Sequence, residues 1–119
     1  MTSERRKDIR FRPAVRLGVL CLETQMEMTL EDLGSGGFSA HAPGEVAVGS
    51  VLRFRFSTRD GAWTTLLTAQ TVHSRAGTDS PVEERAFLIG CKFLNTEQPR
   101  VAASINALID RATAVISFS

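Results

Sequence analysis

The sequence predicts an all-β domain, an antiparallel barrel or sandwich, carrying one terminal α-helix. Three observations predict it. Apolar and polar residues alternate over six short runs, stretches rich in Gly, Asp or Pro separate those runs, and after Pro99 the apolar period lengthens to that of a helix. The 119 residues suit one domain with one core. A domain of this size buries roughly two thirds of its unfolded surface, so it needs no metal or disulfide staple.

Residues 1–13 read as a flexible basic arm, and residues 14–119 as the folded domain. The arm gathers Arg5, Arg6, Lys7, Arg10 and Arg12, and Pro13 closes it by disfavouring helix at the residue before it. "AVRLGVLCLE" then sets Val15, Leu17, Val19 and Cys21 on one face, the period-2 mark of a strand. "QMEMTLEDL" opposes Met26, Met28 and Leu30 to Glu27, Thr29 and Glu31, and pairs with the first strand as a hairpin turning near Glu23 and Thr24. The glycines of "GSGG", Gly34 to Gly37, interrupt the pattern before "FSAHA" resumes it. "VLRFRFS" is the most regular strand, with Leu52, Phe54 and Phe56 inward and Arg53 and Arg55 outward. Asp60-Gly61 signals a turn into a fifth strand over residues 63–74. "SRAGTDSPVEE" reads as a polar loop and "RAFLIGCKFL" as the last strand. Val101, Ile105, Leu108, Ile109 and Ala112 share one face of an amphipathic helix spanning about 97–114.

Composition narrows the function classes. Net charge is only +1, so attraction to nucleic acid or membrane is weak overall, and anion affinity must come from where the arginines sit. A single-stranded nucleic-acid binder relies on aromatic stacking along a basic groove. This chain has no tyrosine and one tryptophan, Trp63, which follows the Asp-Gly turn and reads as packing. Cys21 and Cys91 each lie in an apolar run, as free cysteines used as small hydrophobes do, and no Cys/His cluster suggests zinc. Neither a signal-peptide apolar stretch nor a run of membrane-spanning length is present, so the expectation is a cytoplasmic protein without membrane insertion. Ser35, Ser39 and Ser74 show no nucleophile elbow, and His41 and His73 no partner for acid–base work, so both histidines read as structural and no enzyme is expected. Arg53, Arg55 and Arg59 form an outward stripe best read as a solvated face.

Two features stand out from this background. One is Arg6-x-x-x-Arg10, preceded by Arg5; the other is "EDLGSGGF", in which Asp32 ends a strand before a glycine-dense turn. A guanidinium offers a planar fork of donors that fits phosphate oxygens or the O6/N7 edge of guanine. A carboxylate accepts the paired N–H donors of guanine's Watson–Crick edge, and glycines let backbone N–H groups approach a ligand closely. Together these describe a guanine nucleotide with exposed phosphates. The Gly-Lys-Ser/Thr of a phosphate loop is absent, which argues against triphosphate hydrolysis.

The order R-x-x-x-R, first strand, then D-x-S-x-x-G resembles the PilZ domain family, as do "DLGSGGFSA" and the Gly90-x-x-Phe93 of "IGCKF". The resemblance runs from about residue 5 to 114. It implies a six-stranded antiparallel β-barrel with a C-terminal α-helix, and a non-enzymatic receptor for the second messenger cyclic di-GMP, with no other cofactor. It further implies that Arg6 and Arg10 grip phosphates and guanine, that Asp32 reads a guanine edge, and that Gly37 permits the tight turn. Gly34 stands where the family has serine, a loss of about 1 kcal/mol or fivefold in affinity, with the hydroxyl of Ser35 next door as a partial substitute. A doubled arginine in the family goes with a stacked ligand dimer, which assigns Arg5 to a second ligand molecule. The implied mechanism is an arm, mobile when empty, that folds over the ligand on the barrel and alters the surface offered to a protein partner. The alternative, favoured by Gly34, is a PilZ-like adaptor that no longer binds the nucleotide.

Overall fold

The computed structural model describes residues 9–76 and 87–113. Six strands and one helix follow in order: β1 (Leu17–Cys21), β2 (Met26–Leu33), β3 (Gly37–Ala42), β4 (Val51–Thr58), β5 (Thr64–Ala76), β6 (Phe87–Phe93) and α1 (Pro99–Thr113). Every pairing is antiparallel, the strands run round the barrel as β1-β2-β3-β6-β5-β4, and β4 returns to β1. The chain thus forms the six-stranded antiparallel barrel with a C-terminal helix that the sequence leads one to expect, and closure leaves no unpaired sheet edge.

The period-2 residues fill the interior. Leu17, Val19 and Cys21 of β1 and Leu52, Phe54 and Phe56 of β4 all point inward and are buried. Phe38 lies at the centre, with ring centroids 5.1 Å from Phe54 and 5.0 Å from Phe56, both edge-to-face, the arrangement the ring quadrupole favours. The two cysteines are free and buried. Burial pushes the Cys91 thiol up to about 12, so it is protonated and inert at neutral pH.

Helix α1 begins with Pro99 in the first turn, where its missing N–H costs nothing. Ile105, Leu108 and Ala112 are buried, and the helix packs against β5. Near its C-terminus Arg111 lies 5.1 Å from the Trp63 ring centroid, so Trp63 packs under a cation on the flank of the core.

Several boundaries differ from the sequence expectation. β1 starts at Leu17 rather than at Ala14, because the Ala14 N–H donates to the Ala112 carbonyl of α1 (2.8 Å) instead of to a strand. β5 runs on to Ala76, where Ser74, Arg75 and Ala76 pair with Ile89, Leu88 and Phe87 of β6, so the start of the expected polar loop is strand. The remainder of that loop, residues 77–84, lies outside the described residues, as do residues 85 and 86 of the expected last strand and residue 114 of the expected helix. Among the described residues no helix is long and apolar enough to cross a membrane.

Candidate functional site

Strand β2 begins in strict alternation and then breaks it. Leu30 pairs with Ala40 of β3 but Asp32 pairs with Ser39, so one extra residue is accommodated between them. This bulge lets Leu30 and Leu33 both face the core while Glu31 and Asp32, adjacent in sequence, both stay part-exposed outside it. Bulges re-aim side chains in this way, and here two carboxylates emerge side by side at the end of a strand.

The arm meets them. Phe11 forms a bridge with Leu33, donating its N–H to the Leu33 carbonyl at 3.0 Å and accepting from the Leu33 N–H at 2.9 Å. This pairing fixes the flanking arginines over the bulge. The Arg10 guanidinium donates to Asp32 Oδ1 at 3.0 Å, and Arg12 Nη2 lies 3.0 Å from Glu31 Oε2. Glu31 Oε1 is in turn 2.8 Å from His41 Nε2 on β3. The described end of the arm is therefore tied down by backbone and side-chain contacts rather than loose.

The glycine turn completes the floor. The Gly34 N–H donates to the Gly37 carbonyl, and the Phe93 N–H to the Gly36 carbonyl, both at 2.9 Å. Gly37 has a different role from the one expected of it. It is not among the positive-φ glycines, which in the described residues are Gly49 and Gly61. What it supplies is space: a Cβ there would collide with the Cys91 carbonyl oxygen and stand 3.1 Å from both Arg10 Nη2 and Lys92 Cα. The bare glycine lets the Arg10 guanidinium lie against the barrel wall.

Of the residues singled out in the sequence, Arg10, Asp32 and Gly37 come together at one place, and Gly34 closes the turn beside them. Ser35 lines a cleft of about 210 Å³ with Thr96, Ala102, Ile105 and Asn106, on the side of the turn that meets α1. Arg5 and Arg6 lie outside the described residues. Sequence reasoning missed Arg12, Glu31 and His41 as a linked group, although the break in alternation at "LEDL" was a readable sign of the bulge that joins them. It also missed Ser39, which faces outward beside Asp32 yet is only 7% exposed.

Chemically, the site offers a guanidinium fork and a carboxylate 3.0 Å apart, both about one third exposed, above a glycine floor. No group of His, Cys, Asp and Glu side chains among the described residues is placed to hold a metal ion. The arrangement suits a ligand that carries both an anionic group for the arginine and a pair of N–H donors for the aspartate.

Comparison with known proteins gives the same direction. The pattern of the PilZ domain family matches residues 4–111. No curated protein matches the chain. Among solved structures, the PilZ domain of YcgR from Escherichia coli, determined with c-di-GMP, is 18% identical over 91% of each chain, with a TM-score of 0.67. YcgR from Escherichia coli in complex with c-di-GMP is 21% identical, with a TM-score of 0.62 over 88% of this chain and 44% of that one. The present chain thus spans less than half the length of that protein.

Proposed function

This chain belongs to the PilZ domain family, and on that premise we propose that it is a receptor for cyclic di-GMP that performs no catalysis. The observation that carries the reading is the meeting of Arg10 and Asp32 outside the barrel, above the bare Gly37, which leaves room for the guanidinium. On this reading a phosphate or the guanine O6/N7 edge takes Arg10 away from Asp32, and the freed carboxylate accepts the N–H donors on the base's Watson–Crick edge. One ion pair is exchanged for two sets of charge-assisted hydrogen bonds, each contact worth roughly 1.5–3 kcal/mol. Arg6 supplies a second phosphate grip, Arg5 contacts a further ligand molecule, and Ser35 offers the hydroxyl that Gly34 lacks.

Because Phe11 already pairs with Leu33, the switch within the described arm is an exchange of partners at Arg10 about a fixed backbone point. A cytoplasmic protein partner then reads the altered surface formed by the arm, the bulge and the glycine turn. Calorimetric titration with cyclic di-GMP tests the reading: saturable heat with one or two ligands per chain supports it, and absence of heat at high micromolar ligand leaves it without foundation.

The second reading, an adaptor without nucleotide, is favoured by Gly34 and by the neutralisation of Arg10 by Asp32. The same titration separates the two.

A further inference from the structure

The register of the barrel sets four outward residues in one row across four strands. Asp32 of β2 pairs with Ser39 of β3, Ser39 with Gly90 of β6, and Gly90 with His73 of β5. The row starts at the carboxylate of the candidate site and ends, three strand spacings or about 14 Å away, at an exposed imidazole.

That imidazole is placed by two independent features. β5 has its own register shift between Thr71 and His73, so Thr71 stays in the core while His73 turns out two positions later. The His73 ring then covers the bare Cα of Gly90: a Cβ on Gly90 would fall 2.7 Å from His73 Nδ1 and closer still to the other two outer ring atoms. Among the described residues neither ring nitrogen of His73 has a hydrogen-bond partner. In the next row Lys92 pairs with Gly37 and Gln70, exposed and without an ion pair among the described residues. An unengaged aromatic ring and an unengaged cation therefore border the row that Asp32 begins.

We propose that His73, lying across Gly90 with Lys92 beside it, forms a second subsite that stacks on the second purine base of the same cyclic dinucleotide whose first base is read at Asp32. The inference rests on the cyclic di-GMP reading and extends it by naming residues outside the arm and the glycine turn. The distance along the row exceeds one nucleobase and suits two bases joined through a sugar–phosphate ring. An imidazole stacks on any purine face and presents ring nitrogens to its edge, and the Lys92 ammonium suits the intervening phosphate. Only a glycine at position 90 allows the ring to lie in the row.

The test is a titration of the full chain with cyclic di-GMP, reporting affinity by calorimetry and the His73 ring protons by NMR. Stacking on an aromatic side chain gives an expected loss of roughly 5- to 100-fold in His73→Ala. His73→Phe should recover most of that loss, and Gly90→Ala, which displaces the ring, should reproduce it. In the saturated wild type the His73 ring protons should move upfield, a response that a purely structural histidine would not give. Unchanged affinity in His73→Ala, or ring protons that stay put at saturation, overturns the subsite while wild-type binding leaves the receptor reading standing. A wild type that does not bind the ligand overturns both.

Discussion

Arg10 and Asp32, 22 positions apart, form an ion pair of 3.0 Å on the outer wall of the barrel. Neither is held there by its own segment alone. The bulge in β2 turns Asp32 outward, the Phe11–Leu33 bridge carries Arg10 to it, and Gly37 leaves the space in which the guanidinium rests. Three separate local features converge on one contact between a guanidinium and a carboxylate.

Replacing Arg10 separates binding from folding. An ion pair this exposed contributes about 0–1 kcal/mol to stability, so Arg10→Ala should shift the melting temperature by less than about 4 °C. Cyclic di-GMP affinity should fall at least tenfold, because the charge-assisted contacts are lost outright. Paired melting curves and calorimetric titrations check both halves; a large drop in stability with affinity retained would mean that the arginine is a structural brace.

Gly37→Ala should weaken folding as well as binding. The added Cβ meets the Cys91 backbone oxygen, which a barrel wall cannot move cheaply, and also crowds Arg10 Nη2. Overpacking of this kind costs about 1–3 kcal/mol, and ligand affinity should fall with it. Chemical denaturation together with titration reads the two losses; an unaltered denaturation midpoint would show that β3 and β6 are less closely apposed than described.

Gly34→Ser supplies the hydroxyl that the resemblance to the D-x-S-x-x-G motif calls for at this position of the turn. One added neutral hydrogen bond should tighten binding by about fivefold. Weaker binding in that variant, measured by the same titration, would show that the alignment of the turn with the family motif is displaced.

Much of this architecture could be read from the sequence. Phe54 and Phe56 announced their strand by alternation, and the change of period after Pro99 announced α1. What escaped were relationships that exist only across the barrel. Ala14 looked like the start of a strand because nothing local shows that its N–H caps Ala112 of α1. Gly37 was legible as necessary but for the wrong reason, since the Cys91 carbonyl that forbids a side chain there is more than fifty positions away. The position of His73 over Gly90 was hidden because it depends on the register of β5 against β6 after a bulge. Asp32 was singled out as an acceptor, but its pairing with Arg10 needed the Phe11–Leu33 bridge, which no periodicity encodes.

The buried thiols offer a check on the core itself. With Cys91 pushed up to about 12 by burial, its thiolate is negligible between pH 7 and pH 9 in the folded protein. An alkylating reagent at pH 8 should leave this thiol, and the equally buried Cys21, unlabelled until denaturant is added. Rapid labelling of the native protein would show that the barrel opens far more readily than its packing implies.

The most direct test of the central claim is a crystal structure grown with cyclic di-GMP. The account predicts the ligand on the outer wall above Gly37, Arg10 turned from Asp32 to a phosphate or guanine oxygen, and Asp32 accepting from the base. Ligand bound elsewhere, with the Arg10–Asp32 pair intact, would contradict it.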